Sequence, residues 1–485
     1  MTNDADVVVV GAGMAGLVVA HDLARAGRRV IVLDAAAEVG GLLRRGTLAG
    51  LDLDLGAESF ATRTDAVAAL VADAGLGLEL VAPRPQGAWL AVATGDGVTR
   101  ARLPRRTVLG IPADPDASDV VAIIGAEGAA RARAEQTLPV DPAAEPSLYD
   151  LVADRLGPLV ADRLVDTLCR SVYSRPAAAV RLSDLHPTLW REFLARGSLR
   201  DAVDAVATGQ RAGAAVGGIR GGMWRLPAAL ARAAAAHGAD IRTGTAVRAV
   251  RPGPESVTVD TAGGSLSARR VVIATGPAET TRLLSGAGVS TRSARSTADG
   301  DSSSEERGDA STRGSVAAAG VRLVAAAVAH PGLAEEPVGS GVLVDPALHT
   351  EAKALTHITA KWDWARDAAP GGIHLVRLSA RDPQSSALAT ASDVARELSV
   401  LTGLSVSADQ IVDVVVQEWP DAVVGSVPAE LADGIHLAGA AIAGTGLASV
   451  IPHAHAVASD LDALFAVPPT SASSVHPTRL PRSTA

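Results

Sequence analysis

The chain has 485 residues, 48% of them hydrophobic, and this length predicts roughly three domains or one large composite fold. Such an apolar content excludes a chain that is disordered throughout. The formal net charge of −9 argues against a nucleic-acid partner, because phosphate backbones require a basic face. The single cysteine, Cys169, excludes an internal disulfide and any metal cluster held by cysteines.

The start of the chain has the pattern of a β–α–β unit. Residues 7–10 are a β-branched run typical of a strand buried on both faces. Residues 17–26 have helical spacing, and residues 29–33 suit a second strand that ends at Asp34. At the end of this strand a carboxylate can accept hydrogen bonds from the hydroxyls of a ribose.

A glycine motif joins the first strand to the first helix. In Gly-x-Gly-x-x-Gly the first glycine permits a tight turn, the second lets a pyrophosphate approach the backbone, and the third lets the helix pack on the strand. Together with the second strand and its acid, the motif predicts a dinucleotide site rather than a turn without a ligand. The motif residues are Gly11, Ala12, Gly13, Met14, Ala15 and Gly16.

A second glycine pair favours FAD over a nicotinamide cofactor. Gly40 and Gly41 lie shortly after the acidic residue, and Arg44 follows closely. A loop of this kind can cross the phosphates of the cofactor and bring a guanidinium group to them. Simple nicotinamide dehydrogenases have no need of it. Another approach of the backbone to the cofactor is expected in the string Gly56, Ala57, Glu58 and Ser59.

The rest of the chain alternates between helical and strand patterns. Apolar residues at helical spacing within 148–168 lead us to interpret residues 105–215 as a helical insertion. Residues 286–315 are almost entirely small, polar or charged, which predicts a disordered loop because such a segment cannot bury a core. Further helices are expected at 64–74, 226–237 and 392–402, and strands at 246–250, 256–260, 271–275, 321–329, 341–344, 356–361, 372–379 and 411–419.

A glycine-rich string lies near the C-terminal end. A strand is expected to end just before Gly439, a loop to run to Gly446, and a helix to start near Leu447. The N-terminus of that helix would face the pyrimidine ring of a flavin and stabilise the negative charge of its reduced form. The alternative is a plain glycine-rich turn. The glycines and Pro452 favour this strand–loop–helix unit over a membrane span for the apolar stretch 435–452.

These strings resemble the FAD-dependent amine-oxidase superfamily, which includes the protoporphyrinogen and coproporphyrinogen oxidases. The resemblance covers nearly the whole chain and implies an α/β fold. The implied fold has a Rossmann-like FAD-binding domain of the amine-oxidase and glutathione-reductase type, a mixed-sheet substrate domain and a helical insertion. The strings similar to the porphyrinogen oxidases in particular are Gly56-Ala57-Glu58-Ser59-Phe60, Ser171-Val172-Tyr173-Ser174, Leu182-Ser183, Gly221-Gly222-Met223, Thr359-Ala360-Lys361-Trp362, Glu418-Trp419-Pro420 and Gly439 to Leu447.

The domains that this resemblance implies are discontinuous in sequence. The FAD-binding domain takes several segments of the chain, and the substrate domain and the helical insertion lie between them. The expected segments are 1–86, 216–285 and 421–466 for the FAD-binding domain, 87–104 and 316–420 for the substrate domain, 105–215 for the helical insertion, 286–315 for the disordered loop and 467–485 for a flexible tail.

The resemblance implies an oxidase that acts on a porphyrinogen in haem biosynthesis. The tetrapyrrole loses hydrides to flavin N5 in successive rounds, and dioxygen reoxidises FAD with release of hydrogen peroxide. Because the flavin is the hydride acceptor, no catalytic side chain is predicted. Val247 would meet adenine through its backbone, unless it is only a core residue. The further implied cofactor contacts are Trp419, Gly439, Gly446 and Leu447.

Coproporphyrinogen III is the expected substrate, with coproporphyrin III as product. Short soluble members with these motifs resemble the bacterial coproporphyrinogen oxidases, whereas eukaryotic membrane-associated members carry arginine where Glu58 stands. A broad apolar ring with carboxylate arms needs an apolar pocket with arginines at its rim. Arg63, Arg175 and Lys361 are the candidate contacts, unless they are solvated surface charges. Protoporphyrinogen IX is the alternative substrate, followed by a flavin amine oxidase and a non-enzymatic escort-type protein on the same fold.

We expect a cytoplasmic protein without an integral membrane span, and peripheral contact with a membrane is left open. The apolar run 7–10 is too short for the core of a signal peptide, and one cysteine suits a reducing compartment. No metal site is predicted, because His453 and His455 would lie on different faces of a helix. Transient contact with neighbouring haem-pathway enzymes and the oligomeric state are left open.

Overall fold

The computed structural model describes residues 3–95, 97–135, 145–207, 216–286, 320–420 and 431–466. The predicted disordered loop and flexible tail therefore lie outside the described residues, apart from Gly286. In chain order the strands are β1 (Ala5–Val10), β2 (Val30–Leu33), β3 (Arg45–Leu48), β4 (Leu51–Asp54), β5 (Phe60–Ala61), β6 (Leu80–Val81), β7 (Trp89–Thr94), β8 (Gly97–Arg102), β9 (Thr107–Val108), β10 (Ile111–Pro112), β11 (Val216–Ile219), β12 (Asp240–Arg242), β13 (Val247–Pro252), β14 (Val257–Thr261), β15 (Gly264–Ile273), β16 (Val321–Val328), β17 (Gly341–Val344), β18 (Ala352–His357), β19 (His374–Ala380), β20 (Ile411–Trp419) and β21 (Ile435–Leu437).

Helices connect these strands and form one block of their own. The helices are α1 (Met14–Arg25), α2 (Ala66–Asp73), α3 (Ser118–Arg133), α4 (Leu148–Leu156), α5 (Pro158–Val160), α6 (Leu182–Leu185), α7 (Pro187–Arg196), α8 (Leu199–Ala207), α9 (Arg225–Ala236), α10 (Pro277–Gly286), α11 (Ile358–Lys361), α12 (Asp363–Ala368), α13 (Ala391–Thr402), α14 (Ala440–Ala443) and α15 (Leu447–Ala466). After α5 the chain continues in π-helical turns, Ala161–Asp166 and Cys169–Tyr173. None of the described helices is long and apolar enough to cross a membrane.

The first large sheet has the strand order β12–β2–β1–β15–β14–β13, and β21 also pairs with β15. Strands β12, β2, β1, β15 and β21 pair in parallel. Side chains of β1 alternate between two apolar clusters, because Val7 and Val9 pack with α1, α9 and α15 while Val8 and Val10 pack on the other face. Burial on both faces explains the uninterrupted valine run.

The second large sheet has the strand order β20–β16–β19–β18–β17–β7–β8. One of its faces packs on α13 through residues such as Val324 and Leu398. Its other face, which includes Ala325 and Leu375, packs on Leu53 from the β3–β4 hairpin and on Trp362. The hairpin thereby joins the start of the chain to the second sheet.

The helices α3 to α8 share a third apolar core with β7 and β8. Its largest side chains include Trp190 and Phe193, and residues from α4 and the π-helical turns complete it. A small three-stranded sheet has the strand order β5–β11–β6, and its strands come from both sides of the helical block in sequence. The domain boundaries given above remain a prediction.

Most predicted elements agree with the structure within a few residues, and one does not. Residues 356–361 were expected to be a strand, but β18 ends at His357 and α11 follows at once. The helical turn is favoured because it buries Trp362, which is 2% exposed and packs against the backbone of Gly218. Tertiary packing here outweighs the strand preference of the β-branched residues in this segment.

Candidate functional site

The first and third glycines of the β1–α1 turn are required by packing within the protein itself. Gly11 has a φ of +106°, and a Cβ atom on it would lie 2.7 Å from the carbonyl oxygen of Ala274. A Cβ atom on Gly16 would lie 1.9 Å from the carbonyl oxygen of Gly11. The absence of side chains at these two positions lets α1 begin directly at the end of β1.

The middle glycine has a different role, because its free side faces open space. Gly13 is the N-cap of α1, it has ordinary extended backbone angles, and no side chain caps the helix. A Cβ atom added to Gly13 would meet no heavy atom within 4 Å. The first N–H groups of α1 and the positive end of its dipole therefore face a space that suits an anionic group.

Asp34 lies beside this turn, as predicted. Its Oδ2 atom accepts a hydrogen bond from the backbone N–H of Ala12 at 2.6 Å, and Oδ1 accepts one from Ala36 at 2.8 Å. A carboxylate has about four lone-pair sites, so it retains acceptor capacity for a ribose hydroxyl. The carboxylate is half-buried and fixed against the glycine turn.

Two further glycine segments converge on the N-terminus of α1. The backbone N–H of Gly40 donates to the carbonyl of Ala12 at 2.9 Å, and Gly40 forms an isolated bridge with Gly13. Gly439, near the other end of the chain, lies close to α1. A Cβ atom added to Gly439 would lie 3.2 Å from the Cβ of Ala15. The structure thus brings together three of the glycine strings that the sequence analysis selected separately.

Arg44 and Trp419, both predicted cofactor contacts, lie against each other. The Arg44 guanidinium carbon is 5.5 Å from the centre of the Trp419 ring, which is the geometry of a cation–π contact. The indole N–H of Trp419 donates to the carbonyl of Leu55 at 3.1 Å. This contact connects strand β20 to the loop that contains Gly56.

The Gly56 loop packs tightly against the second glycine segment. A Cβ atom on Gly56 would lie 1.8 Å from the carbonyl oxygen of Leu42, and the same oxygen accepts a hydrogen bond from Ala57 at 3.1 Å. Just before the loop, the buried Asp54 carboxylate accepts backbone hydrogen bonds from Met223 and Trp224. Burial raises the pKa of Asp54 to about 6 despite these hydrogen bonds. Asp54 thereby ties this loop to the start of α9, a role that sequence analysis missed.

Glu58, predicted as a cofactor contact, is held by two cations. Its Oε1 atom lies 2.5 Å from Nζ of Lys361, and its Oε2 atom lies 3.3 Å from Nη2 of Arg377. Burial alone would raise the pKa of Glu58, but the charges of Arg377 and Lys361 lower it overall. The predicted substrate contact Lys361 is therefore already paired within the protein. Ser59, which follows Glu58 in the sequence, is half-buried.

Val247, predicted to meet adenine, begins β13 at an irregularity in its pairing with β14. Its carbonyl oxygen accepts a hydrogen bond from Nη2 of Arg282 at 2.8 Å. At the far end of the candidate site, Gly446 has a φ of +98° and Leu447 begins α15. The predicted strand–loop–helix unit is confirmed, with the short helix α14 inside its loop.

A large cavity is lined by residues of the segments 60–68, 80–87, 105–106 and 216–217. Its volume is about 1070 Å³, and its walls include the apolar residues Phe60, Leu80 and Val81. Arg63 lines it and donates from Nη2 to the Ser449 hydroxyl in the first turn of α15, at 3.3 Å. Ligand pockets generally measure about 300–1,000 Å³, so this cavity is large enough for a sizeable molecule.

The string around Tyr173 is held by the second sheet. Lys353 on β18 donates from Nζ to the Ser174 hydroxyl at 2.7 Å, and the Ser171 hydroxyl donates to the Lys353 carbonyl at 2.9 Å. Ser174 ends the π-helical turn with a φ of +55°, and Val172 and Tyr173 stay 57% and 38% exposed. π-Helical turns are frequent at functional sites. Sequence analysis missed Lys353, although it is one of only two lysines in the chain.

The other candidate cation of this region is engaged locally. Arg175 donates from Nη2 to the carbonyl of Ala179 at 2.8 Å. Arg63, in contrast, contributes its positive charge to the surroundings of His186, whose pKa is lowered first by burial and further by that charge. Of the three predicted substrate contacts, Arg63 alone lines the cavity.

These features define the class of protein. A largely parallel sheet with a glycine turn and an acid after β2, followed by a second mixed sheet, is the architecture of a dinucleotide-dependent oxidoreductase. The chain belongs to the family of flavin containing amine oxidoreductases, whose family model matches residues 14–295. It is thus a flavin oxidoreductase, and the predicted FAD cofactor is confirmed by this membership.

Two relatives agree with this membership. The chain is 30% identical to the coproporphyrinogen III oxidase of Mycobacterium tuberculosis, over 94% of this chain and 98% of that protein. It is 31% identical to the protein of the same name from Mycobacterium leprae, over 85% of this chain and 86% of that one.

Two solved structures show the same fold. A putative protoporphyrinogen oxidase from Exiguobacterium has a TM-score of 0.75 at 18% identity, covering 96% of this chain and all of that one. Wild-type putrescine oxidase bound to putrescine has a TM-score of 0.60 at 19% identity, covering 95% and 99%. At these identities the likeness concerns the fold alone, and it confirms the predicted fold class.

Proposed function

We propose that the protein oxidises coproporphyrinogen III to coproporphyrin III with FAD and dioxygen, releasing hydrogen peroxide. The observation that carries the proposal is the large cavity lined by Arg63, whose guanidinium group also reaches the start of α15. It offers apolar walls for a tetrapyrrole ring and guanidinium groups for its carboxylate arms. The names of the Mycobacterium relatives, matched over nearly their whole length, support this substrate.

The residues around the N-terminus of α1 fit FAD. The uncapped N-terminus of α1 and the open side of Gly13 suit the pyrophosphate, and Asp34 suits the ribose. When bound, FAD supplies a two-electron acceptor for hydrides. We propose as cofactor contacts Gly11, Ala12, Gly13, Met14, Ala15, Gly16, Asp34, Gly40, Gly41, Arg44, Gly56, Ala57, Ser59, Val247, Trp419, Gly439, Gly446 and Leu447.

Glu58 stays in the proposal in an indirect role. Its carboxylate is paired with Lys361 and Arg377, so it holds the Gly56 loop in place through the second sheet. Arg377 also donates from Nη1 to the carbonyl of Gly56 at 2.6 Å. The loop that approaches the cofactor is therefore fixed before any ligand binds, which is the preorganisation that hydride transfer requires.

Arg63 is the substrate contact that we retain. Its guanidinium group lines the cavity and reaches the first turn of α15, so a carboxylate bound there would hold the ring at a fixed distance from that helix. Lys361 and Arg175 are engaged inside the protein and are weaker candidates. The chain's own contribution is orientation of the substrate, and no side-chain base is proposed.

Protoporphyrinogen IX remains the second candidate substrate, because the structurally similar Exiguobacterium protein is named a putative protoporphyrinogen oxidase. An amine oxidase would frame its substrate between aromatic side chains over the flavin. Here the Trp419 ring is covered by Arg44 instead. We further propose that the protein acts in the cytoplasm and hands its product to a neighbouring enzyme of the haem pathway.

The test is an oxidation assay with the FAD-loaded protein. Coproporphyrinogen III or protoporphyrinogen IX is prepared under anaerobic conditions, air is admitted, and porphyrin fluorescence and hydrogen peroxide are followed. We expect rapid formation of coproporphyrin III with peroxide released in step. A clear preference for protoporphyrinogen IX would overturn the substrate, and turnover of amines alone would overturn the reaction.

A further inference from the structure

We propose that Arg105 is a carboxylate-binding residue of the cavity, and that it makes the protein select tetrapyrroles with four carboxylate arms over those with two. This inference rests on the proposed function, because it takes the cavity as the tetrapyrrole site. Arg105 belongs to no motif of the sequence, and only the fold brings it to the wall of this cavity.

Four arginines line the cavity, and two of them are already neutralised. Arg84 pairs with Glu336 and also lies 3.3 Å from Asp363. Arg106 pairs with Asp204. These two guanidinium groups are structural, because each has a carboxylate partner from another part of the chain.

The guanidinium groups of the other two, Arg63 and Arg105, form no ion pair with a carboxylate of the described residues. Arg63 donates only to the Ser449 hydroxyl, and no ion pair involves the Arg105 side chain within the described ranges. Asp65 is the carboxylate among the described lining residues. Two unpaired guanidinium groups therefore share an apolar cavity with one carboxylate, which leaves positive charge to be matched by a ligand.

The backbone around Arg105 is fixed, although its side chain is exposed. Its N–H donates to Oδ2 of Asp119 at 3.1 Å, and the carbonyl of Arg106 accepts a hydrogen bond from Ala113 at 3.0 Å. The guanidinium group thus projects from a constrained segment between β8 and β9. Guanidinium groups bind carboxylates through two parallel hydrogen bonds, which suits a propionate arm.

Selectivity follows because a ligand with two carboxylate arms leaves the Arg105 guanidinium group without a carboxylate. Arg63 can bind one arm of any carboxylate-bearing tetrapyrrole that enters the cavity. A second guanidinium group gains nothing from an apolar vinyl or ethyl group, and it loses part of its hydration when such a ligand covers it. A site that is built for charged groups therefore discriminates against the analogue that lacks them.

The experiment measures porphyrin binding to the FAD-loaded protein by fluorescence titration. The probes are coproporphyrin III, which has four carboxylates, and mesoporphyrin IX, which has two carboxylates and ethyl groups in place of the others. For Arg105→Gln we expect the dissociation constant of coproporphyrin III to rise about tenfold, with that of mesoporphyrin IX changed less than about twofold. Arg63→Gln should weaken both ligands, and Arg105→Lys should restore part of the preference.

The control is Arg396→Gln, which removes an exposed arginine from α13, on a face of the second sheet away from this cavity. An equal effect of Arg105→Gln on both porphyrins, or no effect on either, would overturn the inference. Turnover is measured on the same samples. If wild-type protein prefers coproporphyrin III but oxidises no porphyrinogen, the proposed function fails while the carboxylate site stands. If it oxidises coproporphyrinogen III and Arg105→Gln keeps the preference, only the inference fails.

Discussion

The ammonium nitrogen of Lys361 lies 2.5 Å from the Oε1 atom of Glu58, although 303 residues separate them in the chain. Arg377 adds a second cation on the opposite oxygen at 3.3 Å. All three side chains are at most 15% exposed. Lys361 ends α11 and Arg377 lies on β19, so the two ion pairs of Glu58 fasten the Gly56 loop of the first half of the chain to this helix and to the second sheet.

Replacing Glu58 by glutamine is expected to destabilise the protein. The change keeps the shape of the side chain but leaves two buried cations without a carboxylate, which costs roughly 2–4 kcal/mol. Urea unfolding of wild type and Glu58→Gln at pH 7 measures the difference. Because the pKa of Glu58 is lowered from its ordinary 4.5, this contribution is complete above about pH 4.5 and declines as the pH falls below it.

The matched control for this pair is the double variant Glu58→Gln with Lys361→Met. Removing one cation together with the carboxylate should recover part of the lost free energy of unfolding, because fewer buried charges are left unpaired. Equal stability of wild type and Glu58→Gln at pH 7 would show that the ion pair does not stabilise the loop.

The residues of this site that act through local backbone conformation were predicted from the sequence better than those that act through long-range pairing. The turn at Gly11 to Gly16 is local: a valine run, three spaced glycines and an acid at the next strand end fix its conformation within a short stretch of chain. The pairing of Glu58 with Lys361 is not local, because it depends on how the second sheet is placed against the first segment. A sequence shows two charges and does not show that they neutralise each other.

The same difference between local and long-range contacts explains why the sequence selected Lys361 and not Arg105 as a substrate contact. Lys361 was chosen from a motif and is paired inside the protein, whereas Arg105 lies outside every motif and lines the cavity. The prediction of a strand at residues 356–361 was wrong for a related reason. Its β-branched residues favour a strand, but burial of Trp362 against Gly218 requires the helical turn α11.

Alanine at two glycines of the β1–α1 turn should separate cofactor binding from folding. Gly13→Ala adds a methyl group where the protein has no atom within 4 Å, so the apoprotein should keep its stability. That methyl group would lie at the proposed pyrophosphate position, and FAD affinity should fall at least about tenfold. Flavin absorbance relative to protein, with thermal unfolding of the apoprotein, measures both effects.

Gly16→Ala, unlike Gly13→Ala, should affect the stability of the protein itself. Its Cβ would lie 1.9 Å from the carbonyl oxygen of Gly11, so the helix must move, at a cost of about 1–3 kcal/mol. This variant should be less stable even without FAD. If Gly13→Ala binds FAD as wild type does, the pyrophosphate does not pass over Gly13.

A pH-dependent contribution to stability is expected from His455. Its Nδ1 atom lies 2.5 Å from Oδ2 of Asp22, and this hydrogen bond raises the pKa of His455 above 6.5. Burial opposes ionisation of Asp22, but its hydrogen bonds to His21 and His455 lower its pKa to about 2. A raised histidine pKa stabilises the fold below pH 6.5, and the effect is lost as the pH rises through the folded pKa.

His455→Gln should therefore lower the free energy of unfolding at pH 5.5 and have little effect at pH 8.5. Because the His455 side chain is 42% exposed, we expect a difference of less than about 1 kcal/mol. His349→Gln removes an exposed histidine of the second sheet region and serves as the control. A loss of stability that is the same at both pH values would mean that packing, not charge, accounts for the effect.

The two lysines of the chain are predicted to respond in opposite ways to replacement by methionine. Lys361 neutralises Glu58, so Lys361→Met should destabilise the protein at pH 7. Lys353 is 8% exposed, donates only to the neutral Ser174 hydroxyl, and has Arg381 nearby. Burial and the charge of Arg381 lower the pKa of Lys353 to about 8, which means that its charged form is disfavoured in the folded protein.

Lys353→Met should therefore stabilise the protein at pH 7. The shift of the Lys353 pKa from 10.5 to about 8 corresponds to about 1.4 kcal/mol per unit, and the lost hydrogen bond to Ser174 costs about 1 kcal/mol, which leaves a net gain of roughly 2 kcal/mol. The gain should fade between pH 8 and pH 10.5, because the unfolded wild type binds more protons there and wild-type stability rises with pH. Urea unfolding of both variants at pH 7 and pH 9.5 tests this. Destabilisation of the same size by both replacements at pH 7 would show that Lys353 is held by more than its bond to Ser174.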